Sequence, residues 1–257
     1  MIITSLHNER VKLVRGLQTR SKLRRHEGRI VLEGVRLVGD ALESGVQPDF
    51  VLYMPEIATS QLLDKLRDQA IPCLEVTAEV MTHISDTESP QGIVAVVPIP
   101  EQPVPANLKF VLILDGIADP GNLGAILRTA AAAGVDVVAL APHCVDPFNP
   151  KVLRGGMGAH FRIPIVRQSW QQIAHDYGEL HVYLADSEGV TRYDEVDWAR
   201  PSAVIVGGET RGIAPQAAEL AEGTISIPMH NVVESLNAAV ATGVILFEIS
   251  RQRLVGR

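Results

Sequence analysis

Apolar residues recur along this chain in two alternating spacings, one typical of strands and one typical of helices. Short apolar runs predict strands at 29–33, 50–53, 71–76 and 93–97 and, further on, at 110–114, 135–140, 182–185, 203–206 and around 224–227. Apolar residues three or four apart predict helices at 35–42, 60–69, 78–84 and 123–133, and a final helix over 240–254 that starts near Ser235. Strands that alternate with helices predict an α/β fold with mostly parallel sheets.

One proline-rich stretch interrupts this alternation. Residues 98–107 read PIPEQPVPAN, with prolines at 98, 100, 103 and 105. Because four prolines in ten residues are incompatible with a helix or a central strand, we expect an extended linker. The predicted organisation is a smaller N-terminal domain over 1–98, a linker over 99–106 and a C-terminal domain over 107–257.

Charge is distributed unevenly between the start of the chain and the rest. The net charge of the 257 residues is −7, which by itself disfavours a polyanionic partner. The first 30 residues, however, hold eight basic and two acidic side chains, a net charge of +6 that leaves −13 for the remainder. Within this basic arm (residues 1–30), positions 11, 13, 14 and 17 are apolar, so we expect a helix with one buried face. The arm suggests nucleic acid as a partner, with a solvated helix face as the alternative.

Composition excludes several classes of protein. Two cysteines, Cys73 and Cys144, are too few for a disulfide scaffold or a multi-cysteine zinc site, and the eight histidines show no metal-ligand spacing, so no metal is expected. No apolar run approaches the roughly 18 residues that a membrane-spanning helix needs, so no membrane partner is expected. The first ten residues lack the apolar stretch of a signal peptide, which favours a cytoplasmic location.

A first candidate site follows the predicted strand at 110–114. Residues 119–130 read DPGNLGAILRTA and open a predicted helix, a position at which α/β proteins bind anions or cofactors. The glycine spacing fits neither the dinucleotide fingerprint GxGxxG nor a Walker A loop. On local features alone, Asn122 is an N-cap or turn residue and Arg128 is a surface arginine.

Two further candidate sites lie towards the C-terminus. Residues 204–213, VIVGGETRGI, place a strand before Gly-Gly-Glu, where either a ligand approaches the backbone closely or Glu209 faces water. Residues 225–229, ISIPM, are followed by ESLNAAVATG at 234–243, in which Ser235 is a natural N-cap. Small residues line one face of that last helix, so we expect close packing against it, whereas Asn237 has no obvious core role.

Taken in order, these three stretches resemble the motifs of the SpoU (TrmH) class of SPOUT RNA ribose methyltransferases. NxGxxxRTA after a strand, VxGxE, and IPM followed by ESLN with an alanine-rich helix match in order and spacing over about residues 107–257. DPFNPKVLR at 146–154 and GAHF at 158–161 also resemble the family. The first half, with EGVRLV at 33–38, resembles the RNA-binding domain that is often fused to it, so the resemblance spans nearly the whole chain.

The resemblance implies a fold, a cofactor and partners. In that family the C-terminal domain is an α/β fold with a parallel sheet and a deep trefoil knot, a topology that spacing alone would never indicate. The resemblance also implies a homodimer formed through the C-terminal domains and a smaller N-terminal α/β domain that binds RNA. The residues expected to bind S-adenosylmethionine are Gly207, Ile227, Met229 and Leu236. The expected RNA contacts in the basic arm are Arg20, Lys22, Arg24 and Arg25.

The implied reaction is transfer of a methyl group to a ribose 2′-hydroxyl of RNA, with ribosomal RNA as the best fit. A ribose hydroxyl is a poor nucleophile that must be deprotonated or polarised and held in line with the methyl group. Arg128 is the family's candidate for this task, either as a base, although a free guanidinium has a pKa above about 12, or as an electrostatic stabiliser. Proton removal assisted by phosphate positioning is favoured. The residues expected to orient Arg128 and the ribose are Asn122, Glu209, Ser235 and Asn237.

Three alternatives stay open at this point. The first alternative is a transfer RNA as the substrate. The second is a catalytically silent RNA-binding module, since a fold does not imply activity. The third alternative is a nucleotide-binding oxidoreductase, against which the missing glycine fingerprint counts. A silent module has no need to keep all five of the residues implied in catalysis, so the complete set favours an enzyme.

Overall fold

A computed structural model describes residues 2–56, 60–208, 212–230 and 235–255. Contacts divide the chain into two compact units, residues 1–101 with 148–161 and residues 102–147 with 162–257. Helices and strands alternate through most of both units, as predicted. In chain order the elements are α1 (Glu9–Thr19), α2 (Ser21–Glu27), β1 (Arg29–Glu33), α3 (Val35–Glu43), β2 (Phe50–Tyr53), α4 (Ser60–Asp68), β3 (Cys73–Glu75), α5 (Ala78–Ile84), β4 (Ile93–Pro98), β5 (Phe110–Asp115), α6 (Pro120–Ala133), β6 (Val137–Leu140), α7 (Pro150–Gly156), a 3-10 helix (Ala159–Phe161), β7 (Ile165–Arg167), α8 (Trp170–Tyr177), β8 (His181–Ala185), β9 (Thr191–Arg192), β10 (Ser202–Gly207), α9 (Pro215–Leu220), β11 (Gly223–Ser226) and α10 (Ala238–Val255). Within the described residues, no helix combines the length and apolarity needed to cross a bilayer.

The sheet of the first unit has mixed strand directions, with the order β1-β4-β2-β3. β4 runs antiparallel to both β1 and β2, and only β2 and β3 are parallel. The expectation of a mostly parallel sheet is therefore wrong for this half of the chain. Alternation of helices and strands fixes their order along the chain but not strand direction. Because β3 is parallel and β4 antiparallel to β2, β4 starts at the end of the sheet where β3 finishes.

Both faces of this sheet are covered. On one face, Val11, Val14 and Leu17 of α1 are fully buried with Met81 of α5, which confirms the predicted apolar stripe of the basic arm. The arm forms two helices rather than one, because the chain turns into an extended conformation at Arg20.

The other face of the sheet packs against α3, α4 and the segment 148–161. Leu153 of α7 and Phe161 of the 3-10 helix are almost completely buried in the same core as Ile30 and Leu32 of β1. These contacts group residues 148–161 with the first unit, although the predicted C-terminal domain includes them.

The sheet of the second unit is entirely parallel, with the order β7-β6-β5-β10-β8-β11-β9. Its central strands β5 and β10 read as nearly continuous apolar runs, as expected for strands that are buried on both faces. The predicted α/β class with a parallel sheet is confirmed for this unit. The trefoil knot stays a prediction of the resemblance.

Candidate functional site

The first candidate motif forms the start of helix α6 at the carboxyl end of strand β5. Asp119 is the N-cap, since its Oδ1 accepts a hydrogen bond of 2.7 Å from the backbone N–H of Asn122, and Pro120 occupies the first turn. The reading of Asn122 as an N-cap is therefore wrong, because Asp119 already serves as the cap. The side chain of Asn122 is left to make contacts outside its own helix.

Those contacts come from the start of helix α10. Asn237 Nδ2 donates to Asn122 Oδ1 at 3.0 Å, while Asn237 Oδ1 accepts from the backbone N–H groups of Ala239 and Val240 at 2.9 and 3.4 Å. The helix begins at Ala238, so Asn237 is its N-cap. The prediction that Ser235 is the N-cap is therefore wrong. One asparagine thus caps α10 and joins it to α6, which brings two predicted catalytic residues together.

Helices α6 and α10 pack closely behind this asparagine pair. A Cβ atom placed on Gly243 of α10 would lie 3.7 Å from Cγ2 of Thr129 in α6, which is ordinary van der Waals contact. The expectation that something packs closely against the small-residue face of the last helix is confirmed, and the neighbour is α6.

A cavity of about 260 Å³ lies next to the start of α10. The ends of β8, β10 and β11 form its walls, together with residues just before and within the first turns of α10. Gly207, Ile227, Met229 and Leu236, the residues expected to bind the cofactor, all line it, and so does Ser235. The position agrees with the general rule that ligands of open α/β sheets bind beyond the carboxyl ends of the strands.

Close backbone approach shapes one wall of the cavity. Gly208 N donates to Asp115 O at 2.8 Å, and a Cβ atom on Gly208 would lie only 2.3 Å from Gly116 O. A Cβ on Gly207 would meet only the flexible end of Ile213, at 2.7 Å. Gly208 is therefore the position at which a side chain has no room.

Asp115 accepts hydrogen bonds from two backbone N–H groups near this glycine, those of Gly208 and Ala214. Its backbone carbonyl accepts from Gly208 N, and its carboxylate Oδ2 accepts from Ala214 N at 2.7 Å. The side chain is only 5% exposed, so this acceptor is shielded from water. In the sequence, Asp115 lies just beyond the predicted strand at 110–114, and no motif indicates a role for it.

The cavity also contains polar residues that sequence analysis missed. Asp186 and Ser187 follow β8 and line the cavity, and Asp186 Oδ1 accepts from Glu188 N at 2.9 Å. The signal that would have identified them is their place at the end of β8, because the carboxyl ends of parallel strands meet at one edge of a sheet. Apolar walls with a few polar groups are typical of small-molecule sites.

One predicted catalytic residue stands apart from this assembly, and another cannot be placed. Arg128 is exposed on α6 and does not line the cavity; it lies six residues after Asn122, about 9 Å further along the helix axis. Glu209 falls outside the described residues.

The basic residues of the arm divide into two groups. Arg20, Lys22 and Arg25 are exposed. Arg24 is only 3% exposed, and its Nη1 donates to the carbonyl oxygens of Leu17 and Gln18 at 2.6 and 3.2 Å. This corrects the expectation for Arg24: a guanidinium that satisfies the last carbonyls of α1 holds α1 and α2 together and is not presented to RNA.

Known protein families match both halves of the chain. The model described as the SpoU rRNA Methylase family matches residues 109–247, and the model described as the MRM3-like substrate binding domain matches residues 8–95. Within the described residues, no group of three or more histidine, cysteine or acidic side chains is arranged to hold a metal ion.

Relatives and solved structures match over most of the chain. A relative named rRNA methyltransferase 3, mitochondrial, from Mus musculus is 36% identical over 89% of this chain and 69% of its own length. The 23S rRNA (guanosine(2553)-2′-O)-methyltransferase RlmP of Bacillus subtilis is 32% identical over 96% of this chain and 98% of its own. The crystal structure of an AdoMet-bound rRNA methyltransferase from Sinorhizobium meliloti is 31% identical and superimposes with a TM-score of 0.86, covering 98% of this chain and 97% of that one.

Proposed function

Because the chain belongs to the SpoU rRNA methylase family, we propose that it transfers a methyl group from S-adenosylmethionine to a ribose 2′-hydroxyl of ribosomal RNA. The observation that carries this proposal is that the cavity adjoins the Asn122–Asn237 pair: Leu236 and Ala238, on either side of Asn237, line the cavity. We call this place the junction. The junction places a pocket of ligand size beside two side-chain amides that are held by helix starts. It supports an enzyme over a silent RNA-binding module, for which such a junction has no use.

The cavity suits S-adenosylmethionine, the methyl donor that is bound in the related structure from Sinorhizobium meliloti. Its sulfonium supplies an activated methyl group. Val206, Ile225 and Ile245 offer apolar walls against which an adenine ring packs, and Asp186 and Ser187 offer polar atoms for the ribose and the amino acid end. We assign Gly207, Ile227, Met229 and Leu236 to this binding site as well.

The ribose hydroxyl would be oriented and activated on the side of the junction that faces away from the cavity. Asn122 and Asn237 are fixed by their mutual hydrogen bond and orient the substrate, together with Ser235 and Glu209. Arg128 carries the guanidinium that we assign to activating the hydroxyl. Arg128 is exposed on α6 and does not line the cavity, so a contact with RNA there would not displace the cofactor.

The test replaces Arg128 and measures cofactor binding and turnover separately. Arg128→Ala should abolish methylation of ribosomal RNA and leave the calorimetric affinity for S-adenosylmethionine within about twofold, since Arg128 does not line the cavity. Arg192→Ala removes another exposed arginine of the same unit and should leave both quantities unchanged. Normal turnover in Arg128→Ala would contradict the assignment.

The first unit is the part that we expect to hold the RNA, because a substrate-binding family model covers residues 8–95. Arg20, Lys22 and Arg25 present three positive charges on the outer side of the arm. Their phosphate contacts would supply affinity and a salt-dependent association without reading sequence. Arg24 contributes by holding the two helices of the arm in place.

We also propose that two copies associate through α6 and α10. Val240, Phe247 and Leu254 are 52%, 53% and 65% exposed and recur every seven residues, so they form one apolar stripe on α10. Ala125 and Ala132 are exposed on α6, which packs against α10. A long helix with apolar residues on every face is expected to be buried on every face, and a second copy supplies the missing cover.

Solution mass measurements test this dimer. Phe247→Glu places a charge in the middle of the stripe and should shift the protein from dimer to monomer in light scattering after size exclusion. Val104→Glu alters another exposed valine and should leave the mass unchanged. A wild-type protein of 27.8 kDa at all concentrations would contradict the dimer. The cytoplasmic location stays a prediction, since several relatives carry mitochondrial names.

A further inference from the structure

A second cavity, of about 160 Å³, lies within the first unit and has no part in the site described above. Five polar or charged residues line it: Glu33 at the end of β1, Arg36 and Asp40 on α3, Gln91 before β4, and Arg154 on α7. Two positive and two negative side chains therefore share one small space. We call it the α3–α7 cavity.

Hydrogen bonds fix the wall of the α3–α7 cavity that Glu33 and Arg154 form. Glu33 is 7% exposed, and its carboxylate accepts from Ser85 Oγ, from Thr87 Oγ1 at 2.9 Å and from Asp86 N at 3.1 Å. The turn that is held in this way directs Asp86 Oδ2 to Arg154 Nη2, at 2.9 Å. The arginine is thus oriented before any ligand arrives, as preorganised binding sites require.

One feature of this wall is unfavourable in the chain alone. Arg154 Nη1 is buried without a hydrogen-bond partner among the described residues, an arrangement that costs more than an exposed donor does. A hydrogen-bond acceptor that enters the cavity would remove this cost. Met157, which also lines the cavity, has a φ of +44° because it is the C-cap of α7.

The charges favour a neutral polar ligand over an anion. A phosphate group would be attracted by Arg36 and Arg154 but repelled by Asp40 and Glu33. A neutral group that carries both donors and acceptors satisfies both signs. A cavity of about 160 Å³ has room for a group the size of one planar ring system.

The apolar lining favours such a ring. Leu37 and Met157 complete the walls of the cavity, and apolar side chains are among those that hold a base extruded from its stack. Guanine is the base whose edges match the charged residues. Its O6 and N7 accept from an arginine, while its N1–H and N2 amino groups donate to a carboxylate.

We propose that the α3–α7 cavity binds the guanine base of an unstacked nucleotide of RNA, with Arg36 and Arg154 donating to O6 and N7 and Asp40 accepting from N1–H and the N2 amino group. The proposal rests on the proposed function in one respect, that RNA is the ligand of the first unit. It adds sequence preference to the contacts of the basic arm, which read phosphates only.

The experiment measures base preference with short single strands. Fluorescein-labelled UUGUU, UUAUU, UUCUU and UUUUU are titrated with the full chain and followed by anisotropy. UUGUU should bind the most tightly, and Asp40→Asn or Arg36→Gln should weaken UUGUU alone, by about five- to 150-fold, the range for one bidentate base contact. Glu43→Gln changes an exposed acid on the same helix, outside the cavity, and should change nothing.

Each other outcome overturns the proposal. Equal affinity for the four strands, or no binding of any at millimolar protein, shows that the cavity holds no base. An equal loss for all four strands in Arg36→Gln, with a flatter salt dependence, shows a phosphate contact instead. Methylation of ribosomal RNA is assayed on the same preparation, so a failed methyl transfer with an intact guanine preference refutes the proposed function alone.

Discussion

Gly208 offers a direct perturbation of the proposed methyl donor site. In Gly208→Ala, the new Cβ would lie 2.3 Å from Gly116 O and 2.9 Å from Gly116 C, where ordinary contacts begin at 3.4 Å. Both partners are backbone atoms, so the strand ends must separate by about 1 Å, an overpacking of the kind that costs about 1–3 kcal/mol. Gly208 does not have a positive φ, so the cost is steric.

Separating the strand ends should lower both the stability of the protein and its affinity for S-adenosylmethionine. The hydrogen bond from Gly208 N to Asp115 O lies at the point that must open, and Gly208 itself lines the cavity. We expect the melting temperature to fall by about 2–4 °C per kcal/mol lost. If about 1.4 kcal/mol of the cost appears in ligand binding, the affinity for S-adenosylmethionine falls about tenfold.

Isothermal titration calorimetry and thermal melting of the same preparation measure both effects. Gly223→Ala is the matched control, because its nearest neighbour, Tyr183 Cδ1, would be 4.0 Å from the new Cβ. It should bind normally and melt at or slightly above the wild-type temperature. Wild-type affinity in Gly208→Ala would refute the placement of the methyl donor against this glycine.

The remaining predictions concern residues whose roles the structure separates. Asn237→Ala should lose methyl transfer and about 1 kcal/mol of stability, since it removes a helix cap and the contact with Asn122. Asn237→Ser keeps a capping oxygen but does not reach Asn122, so kcat should fall while denaturant unfolding stays near wild type; normal kcat would contradict the orienting role. Arg24→Ala should destabilise the chain by about 1.5–3 kcal/mol, because charged hydrogen bonds to two buried carbonyls are lost. Arg25→Ala should leave stability unchanged and reduce the slope of log affinity for RNA against log salt by about 0.7–0.9. An unchanged slope would show that Arg25 contacts no phosphate and is only a solvated residue.

Periodicity predicted the central elements of the fold closely. The apolar run at 110–114 is strand β5, and the strand predicted at 203–206 lies within β10, because strands buried on both faces leave a continuous apolar signal. The direction of β4 could not be predicted, since no local signal fixes the end of the sheet at which a strand starts. The cap of α10 was misplaced for a related reason: Ser235 and Asn237 are equally good N-cap residues, and only packing against α6 selects one.

The candidate site was predictable only in part. The resemblance to a family indicated the residues that line the main cavity, whereas spacing alone left each of them with a structural explanation. Asp186 and Asp115 were missed because their roles depend on neighbouring strands that are far apart in sequence. Counting charges along the sequence could not identify the role of Arg24. A run of basic residues does not show which of them is buried, and here Arg24 donates to Leu17 O.

The α3–α7 cavity illustrates the same limit. Glu33, Asp86 and Arg154 are separated by more than 50 residues at each step, and the ion pair between Asp86 and Arg154 forms only when residues 148–161 pack against β1. No periodicity or spacing in the chain links them. Such clusters become visible only in three dimensions.

Nucleoside analysis of ribosomal RNA tests the central claim most directly. Ribosomal RNA from cells that lack the protein is incubated with the purified chain and isotopically labelled S-adenosylmethionine, digested to nucleosides and analysed by mass spectrometry. The account predicts label in a single 2′-O-methylated nucleoside, and none with Arg128→Ala. Label on a base, or no label although calorimetry shows that S-adenosylmethionine binds, would contradict it.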